Sequence, residues 1–134
     1  MTTLAVSFFT IIFVSCSSEI KKNDATRFKQ GVFEIPASKG YSKTIITRIN
    51  NLQIEEYTSI ETVAGKKTIK HIDTLYIKWK NNFYYTLQMK SPKNELDKNS
   101  IFVQITKVTD TSYNFTAKIG FSKFKQKGIV YKVQ

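Results

Sequence analysis

YNFTAKIGF occupies residues 113–121. Taken two at a time, Tyr113, Phe115, Ala117, Ile119 and Phe121 fall on one side and Asn114, Thr116 and Lys118 on the other. Successive side chains of a β-strand alternate between its faces, so this run predicts a half-buried strand with one wet face. The same alternation recurs on both sides of it. FYYTLQMK at 83–90 aligns Phe83, Tyr85, Leu87 and Met89, and IFVQITK at 101–107 aligns Ile101, Val103 and Ile105. IVYKV at 129–133 aligns Ile129, Tyr131 and Val133, and LYIKW at 75–79 aligns Leu75, Ile77 and Trp79.

The punctuation between these runs fits hairpins. Asn50-Asn51 separates TIITRI from LQIEEY, and Asn81-Asn82 separates YIKWK from FYYTL. Asn tolerates positive φ, which tight hairpin turns require. Ala64-Gly65-Lys66 and Thr109-Asp110-Thr111 read as further turns. Ser91–Ser100 is the one long polar gap, and Pro92 bars a central strand there. With no amphipathic helix to cover its apolar face, such a sheet must close on itself or fold into a sandwich. The expectation is an all-β protein, an antiparallel up-and-down meander of about seven or eight strands forming a lipocalin-like small barrel or half-barrel.

The N-terminus has a different character. Leu4–Cys16, LAVSFFTIIFVSC, carries no charge and holds the chain's single cysteine. The run is short for a bilayer span but suits the apolar part of a secretory signal peptide. Phe13-Val14-Ser15-Cys16 resembles a bacterial lipobox, in which the cysteine becomes the first mature residue and carries diacylglycerol. Two departures stand out: Phe13 occupies a place where Leu is commoner, and no Lys or Arg precedes the apolar run. The alternative is a buried thiol in an N-terminal core helix, but no second apolar stretch exists for such a helix to pack against. The domain reading is therefore signal peptide 1–15, lipidated tether 16–27 and one β domain 28–134, with no disulfide available after Cys16.

The formal charge is +11, and every charged residue follows Cys16. No Asp or Glu follows Asp110. This balance favours anionic partners or a solvated lysine face. Only Arg27 and Arg48 are arginines, so the field is one of point charges, without the forked donors that read phosphates or bases.

FKQGVFEI (28–35), IETVAGKK (60–67), YIKW (76–79), FYYTLQMKSPKN (83–94) and IFVQITKVTDTSYNF (101–115), in that order, resemble small lipoproteins of flavobacteria and other Bacteroidota. Proteins of that kind are often labelled DNA topoisomerase IV. A type II topoisomerase needs a tyrosine nucleophile in a large winged-helix context, an acidic metal site and an ATPase, for which one small exported domain has no room. Members carry a cysteine before the F-K-x-G stretch and another after the W-x-N segment. Ala25 and Phe83 stand at those places here, which implies that a paired disulfide is missing. The resemblance implies no molecular function and no site residues.

Chemistry-bearing constellations are sparse. His71 is the single histidine, too few ligands for zinc or haem. On a strand it would share a face with Asp73, whereas Glu55 and Glu56 would face opposite ways. The scattered glycines form no phosphate-binding loop. The expectation is no catalytic residue, metal or cofactor, with Cys16 as the lipidation site. Phe33, Trp79, Phe83, Tyr85, Tyr113, Phe115, Phe121 and Tyr131 are the aromatics expected to pack a core or line a ligand cavity, while Tyr57 and Tyr84 are expected to point outward.

Three functions follow. The first is a non-catalytic envelope lipoprotein, held in the membrane by lipid on Cys16, in the outer membrane by expectation, and meeting protein or anionic envelope components. The second is a lipocalin-like carrier of a small hydrophobic ligand. The third is a nucleic-acid-binding small barrel, which export argues against, so no nucleic-acid partner is expected.

Overall fold

The computed structural model describes residues 25–133 except residue 63. Cys16, the signal peptide and most of the expected tether lie outside the described residues. A 3-10 turn at Thr26–Phe28 precedes β1 (Gly31–Ile35), β2 (Thr44–Ile49), β3 (Leu52–Glu61), β4 (Lys67–Asn81) and β5 (Tyr84–Met89). A second 3-10 turn, Leu96–Lys98, leads to β6 (Ile101–Val108), β7 (Ser112–Ile119) and β8 (Lys125–Lys132). Each strand pairs antiparallel with the next, and β8 returns to β1, closing an eight-stranded barrel. The all-β meander is therefore present, and closure gives every strand two neighbours.

Closure at β1–β8 is slender, with Phe33 opposite Lys132 and Glu34 opposite Tyr131. The β3–β4 ladder is the longest, running from Leu52↔Tyr76 to Glu61↔Lys67. β2 follows β3 only as far as Ile45↔Glu56. The outer part of the β3–β4 hairpin thus projects past the barrel wall. Tyr41, from the β1–β2 loop, braces it by bridging to Ser59.

Antiparallel order puts alternate loops at opposite ends. One end collects the β2–β3, β4–β5 and β6–β7 turns, and the Thr26–Phe28 turn lies across it. Arg27 donates from Nε to the Asp110 carbonyl (3.0 Å) and from a terminal nitrogen to the Thr109 carbonyl. Gln30 and Asn50 exchange two hydrogen bonds, of 3.1 and 2.9 Å. Ala25 and Phe28 are fully buried. Ala25–Arg27 therefore belong to the folded domain, although composition alone places them in the tether. The apolar core sits mainly in this closed half, around Phe28, Phe33, Ile77, Tyr113 and Val130.

The turns follow the chemistry of their residues. Asn50 has φ 55° in the β2–β3 turn, and Asn81 Oδ1 accepts from the Phe83 N–H at 2.8 Å in the β4–β5 turn. Ala64 and Gly65 both have positive φ, 65° and 101°.

The last strand differs from its sequence pattern. Tyr113↔Val130 and Phe115↔Gly128 are register partners, so Gly128, Val130 and Lys132 share the inner side. Tyr131 is exposed instead, with Ile129 and Val133 on its outer face. Gly128 is inward because the Phe115 ring lies over it: a Cβ there would come within 2.6 Å of Phe115 Cζ. A glycine contributes nothing to an apolar count, so alternation read from side chains selects the wrong face.

Ala64 supplies the fold's clearest local strain, because a side chain in the left-handed region costs about 1–2 kcal/mol. Ala64→Gly is expected to raise stability by about 0.5–1 kcal/mol, after the entropy cost of an added glycine. Urea unfolding followed by Trp79 fluorescence measures this as a higher midpoint at unchanged slope.

Candidate ligand cavity

The barrel floor is built on Arg48. Two residues after the buried Ile46 on β2, it falls on the same face, so its side chain must point inward, where it is 1 % exposed. Four acceptors meet it. Nε donates to Gln53 Oε1 (2.8 Å), one terminal nitrogen to the Phe28 carbonyl (2.8 Å), and the other to Tyr113 Oη (2.7 Å) and Tyr85 Oη (3.1 Å). The two phenols are themselves 2.9 Å apart. The guanidinium carbon lies 4.9 Å from the centre of the Phe33 ring and 5.0 Å from that of Tyr85, close enough for cation–π attraction. Burial, reinforced by Tyr113, holds the Tyr85 phenol well above its ordinary value of 10 and so keeps it protonated. Trp79 packs on Tyr85 at 4.6 Å, and its buried Nε1 has no partner.

Above this floor the barrel is open. A cavity of about 660 Å³ extends from Gln53 and Tyr85 to the β1–β2 loop. Its wall is divided by chemistry. β3 contributes Gln53, Glu55 and Tyr57, and the facing arc contributes Leu87, Ile101, Val103, Phe115, Ala117 and Val130. Gln53 Nε2 donates to Glu55 Oε1 at 2.7 Å, which ties the carboxylate to the guanidinium through one amide. Asp73 is the register partner of Glu55. Burial pushes the Glu55 carboxyl above its ordinary range; the Gln53 hydrogen bond and Arg48 oppose this, and Asp73 adds to it. Tyr57 Oη lies 3.4 Å from Asp73 Oδ2, and burial, then Asp73, pushes the phenol up to about 12.

At the projecting hairpin, Ser59 Oγ is 2.8 Å from His71 Nε2, and the His71 ring stacks on Tyr57 at 4.7 Å. Asp73 is hydrogen-bonded to Tyr57 rather than to His71, so among the described residues no carboxylate orients the imidazole as a triad requires. Among the described residues no three His, Cys, Asp or Glu side chains converge in a way that could hold a metal.

Of the aromatics singled out in the sequence, Phe33, Trp79, Tyr85 and Tyr113 form the floor and Phe115 lines the cavity. Phe83 lies outside, in the turn after β4, because the alternation from Tyr85 ends where the chain reverses. Phe121 follows the end of β7 and is fully exposed, and Tyr131 is on the outer face of β8. Tyr57 points inward, unlike Tyr84, because it is two residues beyond Glu55 on the inner side of β3. Glu55 and Glu56 do face opposite ways: Glu56 pairs outside with Lys70 at 2.6 Å. Arg48, Gln53 and Phe28 were not singled out in the sequence. The available signal was a lone arginine in phase with Ile46 inside TIITRI. Cys16 lies outside the described residues. Comparisons with family models, with curated proteins and with solved structures give no match.

Two outcomes test this arrangement. Arg48→Met leaves Gln53, two phenols and a carbonyl short of a donor, and is expected to cost about 3 kcal/mol or more, each orphaned group contributing about 1–3. Thermal unfolding followed by circular dichroism measures it. Glu55 carries the opposite sign. Its folded pKa is raised above 4.5, so between the two values the folded chain holds a proton that the unfolded chain has lost. Its contribution to stability is therefore greatest below about pH 4.5 and declines as pH rises through the folded value. Glu55→Gln should be more stable than the parent at pH 7, and the difference should vanish in unfolding curves recorded below pH 4.5.

Proposed function

We propose that this protein is a lipid-anchored bacterial envelope protein whose lipocalin-like barrel binds one small amphiphile. The observation that carries the proposal is the cavity: about 660 Å³, open at one end and sealed at the other. Protein interiors are otherwise packed with few voids larger than a water molecule. Small-molecule sites occupy about 300–1,000 Å³, and barrels of eight strands have room for one such ligand. The divided wall supports a ligand with an apolar body and a polar or cationic group. The body would lie against Leu87, Val103 and Phe115, and the polar group against Glu55 and Tyr57.

The seam at Cys16 and the resemblance to small flavobacterial lipoproteins support the anchor. Residue 25, where the described chain begins, is at the closed end, so a tether would attach on the side away from the mouth. Asp73 is bonded to Tyr57 and so leaves the Ser59–His71 pair without a carboxylate to orient it, which supports binding over catalysis. The basic excess is almost all lysine, which lacks the forked donors that read phosphates and bases, and this weighs against a nucleic-acid role.

One measurement addresses both parts. Protein extracted from bacterial envelopes is weighed first denatured and then native. The denatured mass is expected to be that of a chain beginning at Cys16 with added acyl groups. The native mass is expected to exceed it by one small molecule. Ala117→Phe places a ring in the cavity from a wall position, and should abolish the native excess while leaving the circular dichroism spectrum unchanged. A native mass equal to the denatured mass in the parent chain refutes the ligand, and an unacylated Cys16 refutes the anchor.

A further inference from the structure

Among the described residues, the turn joining β7 to β8 carries the two most exposed large hydrophobic side chains. Phe121 is fully exposed and Phe124 is 77 % exposed, with no apolar neighbour covering either. A protein that buries Phe28 and Phe33 completely leaves these two rings in water. The turn is held in place: Gly120 donates to the Ser100 carbonyl at 2.8 Å, and Ser122 Oγ accepts from the Phe124 N–H at 3.1 Å. The contact with Ser100 sets the tip beside the Leu96–Lys98 turn, whose Leu96 is 60 % exposed.

The same hairpin carries Lys118, Lys123, Lys125 and Lys127, and no acid follows Asp110. Lys118 and Lys125 are direct register partners, which places like charges opposite each other across the ladder. Such pairs destabilise a sheet unless an anion lies between them. Among the described residues, none of these four lysines takes part in an ion pair, whereas Lys43, Lys70 and Lys98 elsewhere each do. The tip is at the open end of the barrel, next to Ala117 and Gln126 of the cavity wall.

We propose that the β7–β8 hairpin is a membrane-docking tip that seats the mouth of the barrel on an anionic phospholipid surface, with Phe121 and Phe124 inserted among the acyl chains and the lysines at the headgroups. The chemistry favours lipid over nucleic acid. Both rings protrude from a narrow turn, whereas base stacking uses aromatics spread along a groove. All four cations are lysines, and point charges suit a diffuse anionic surface, while phosphate and base recognition leans on arginine forks. Both arginines are committed at the closed end, Arg27 on carbonyls and Arg48 in the floor. Docking in this way sets the cavity opening against lipid. The proposal goes beyond the cavity reading and does not depend on the cavity being filled.

The test uses the full chain with Cys16→Ser, so that no acyl anchor contributes, and with Phe121→Trp as the reporter. Vesicles are either pure phosphatidylcholine or contain about one-third phosphatidylglycerol. The expected result is a blue shift of tryptophan emission and quenching by brominated acyl chains on the anionic vesicles only, weakening as salt rises. Adding Lys123→Glu and Lys125→Glu should reduce apparent affinity about tenfold or more, as should Phe124→Ser in a separate chain. These side chains lie in solvent, and Lys125→Glu replaces a like-charge pair with Lys118 by an opposite-charge one, so thermal stability should not fall and loss of binding cannot be attributed to misfolding. Three results overturn the proposal: an equal shift on pure phosphatidylcholine, no shift on either vesicle, or a charge-reversed chain that binds as well as the parent. A larger shift with a single-stranded oligonucleotide than with anionic vesicles also overturns it, and identifies nucleic acid as the partner.

Discussion

A guanidinium has been placed in the floor of a barrel that has no carboxylate beside it, and the rest of the closed end is arranged to make this tolerable. Removing an ion from water costs several kcal/mol unless its donors find acceptors. Arg48 finds a carbonyl, an amide and two phenols, each from a different element: the N-terminal turn, β3, β5 and β7. The same residue therefore ties four separate parts of the chain to one point. This explains why Phe28 and Ala25 are buried and why the N-terminal turn lies across the end instead of trailing away. It also replaces what a disulfide would do in a domain with no cysteine to spare.

The floor and the cavity are parts of one polar line. Arg48 binds Gln53, Gln53 binds Glu55, and Glu55 faces Asp73, after which Tyr57, His71 and Ser59 continue to the projecting hairpin. Its lower half is saturated with hydrogen bonds and serves stability. Its upper half holds a carboxyl whose proton affinity is raised by burial, beside a second carboxyl and against empty space. Folding alone does not reward such an arrangement. A buried carboxyl in a cavity suits the ligand site proposed above, and Leu87, Ile101, Val103, Phe115 and Ala117 on the opposite arc give it an apolar counterpart.

Polarity is also distributed along the barrel axis. At the closed end the cations Arg27 and Arg48 are tied into hydrogen bonds, and the open end carries two uncovered phenylalanines and lysines that form no ion pair among the described residues, on one hairpin. The described chain begins at the closed end, so the proposed tether and the proposed docking tip would lie at opposite poles of a small domain.

The alternations at 75–79, 101–107 and 113–119, with the Asn-Asn turns, were enough for the all-β class and its meander order, because strand period and turn φ are local properties. Hydrophobic alternation failed where the inward residue was Gly128 or a charged group, since it counts only apolar side chains. Most of the floor aromatics were legible as a set, and the polar half of the site was not. Arg48 and Gln53 are five residues apart and bond across a hairpin, but Arg48 and Tyr113 are 65 apart and meet only when the barrel closes. Local chemistry thus determined the strands, the turns, the lysine excess and the abrupt seam at Cys16. Closure alone decided which face of β8 was inside, that the floor would be sealed by a cation, and that a space would remain above it. Those outcomes depend on residues distant in sequence sharing one enclosed volume.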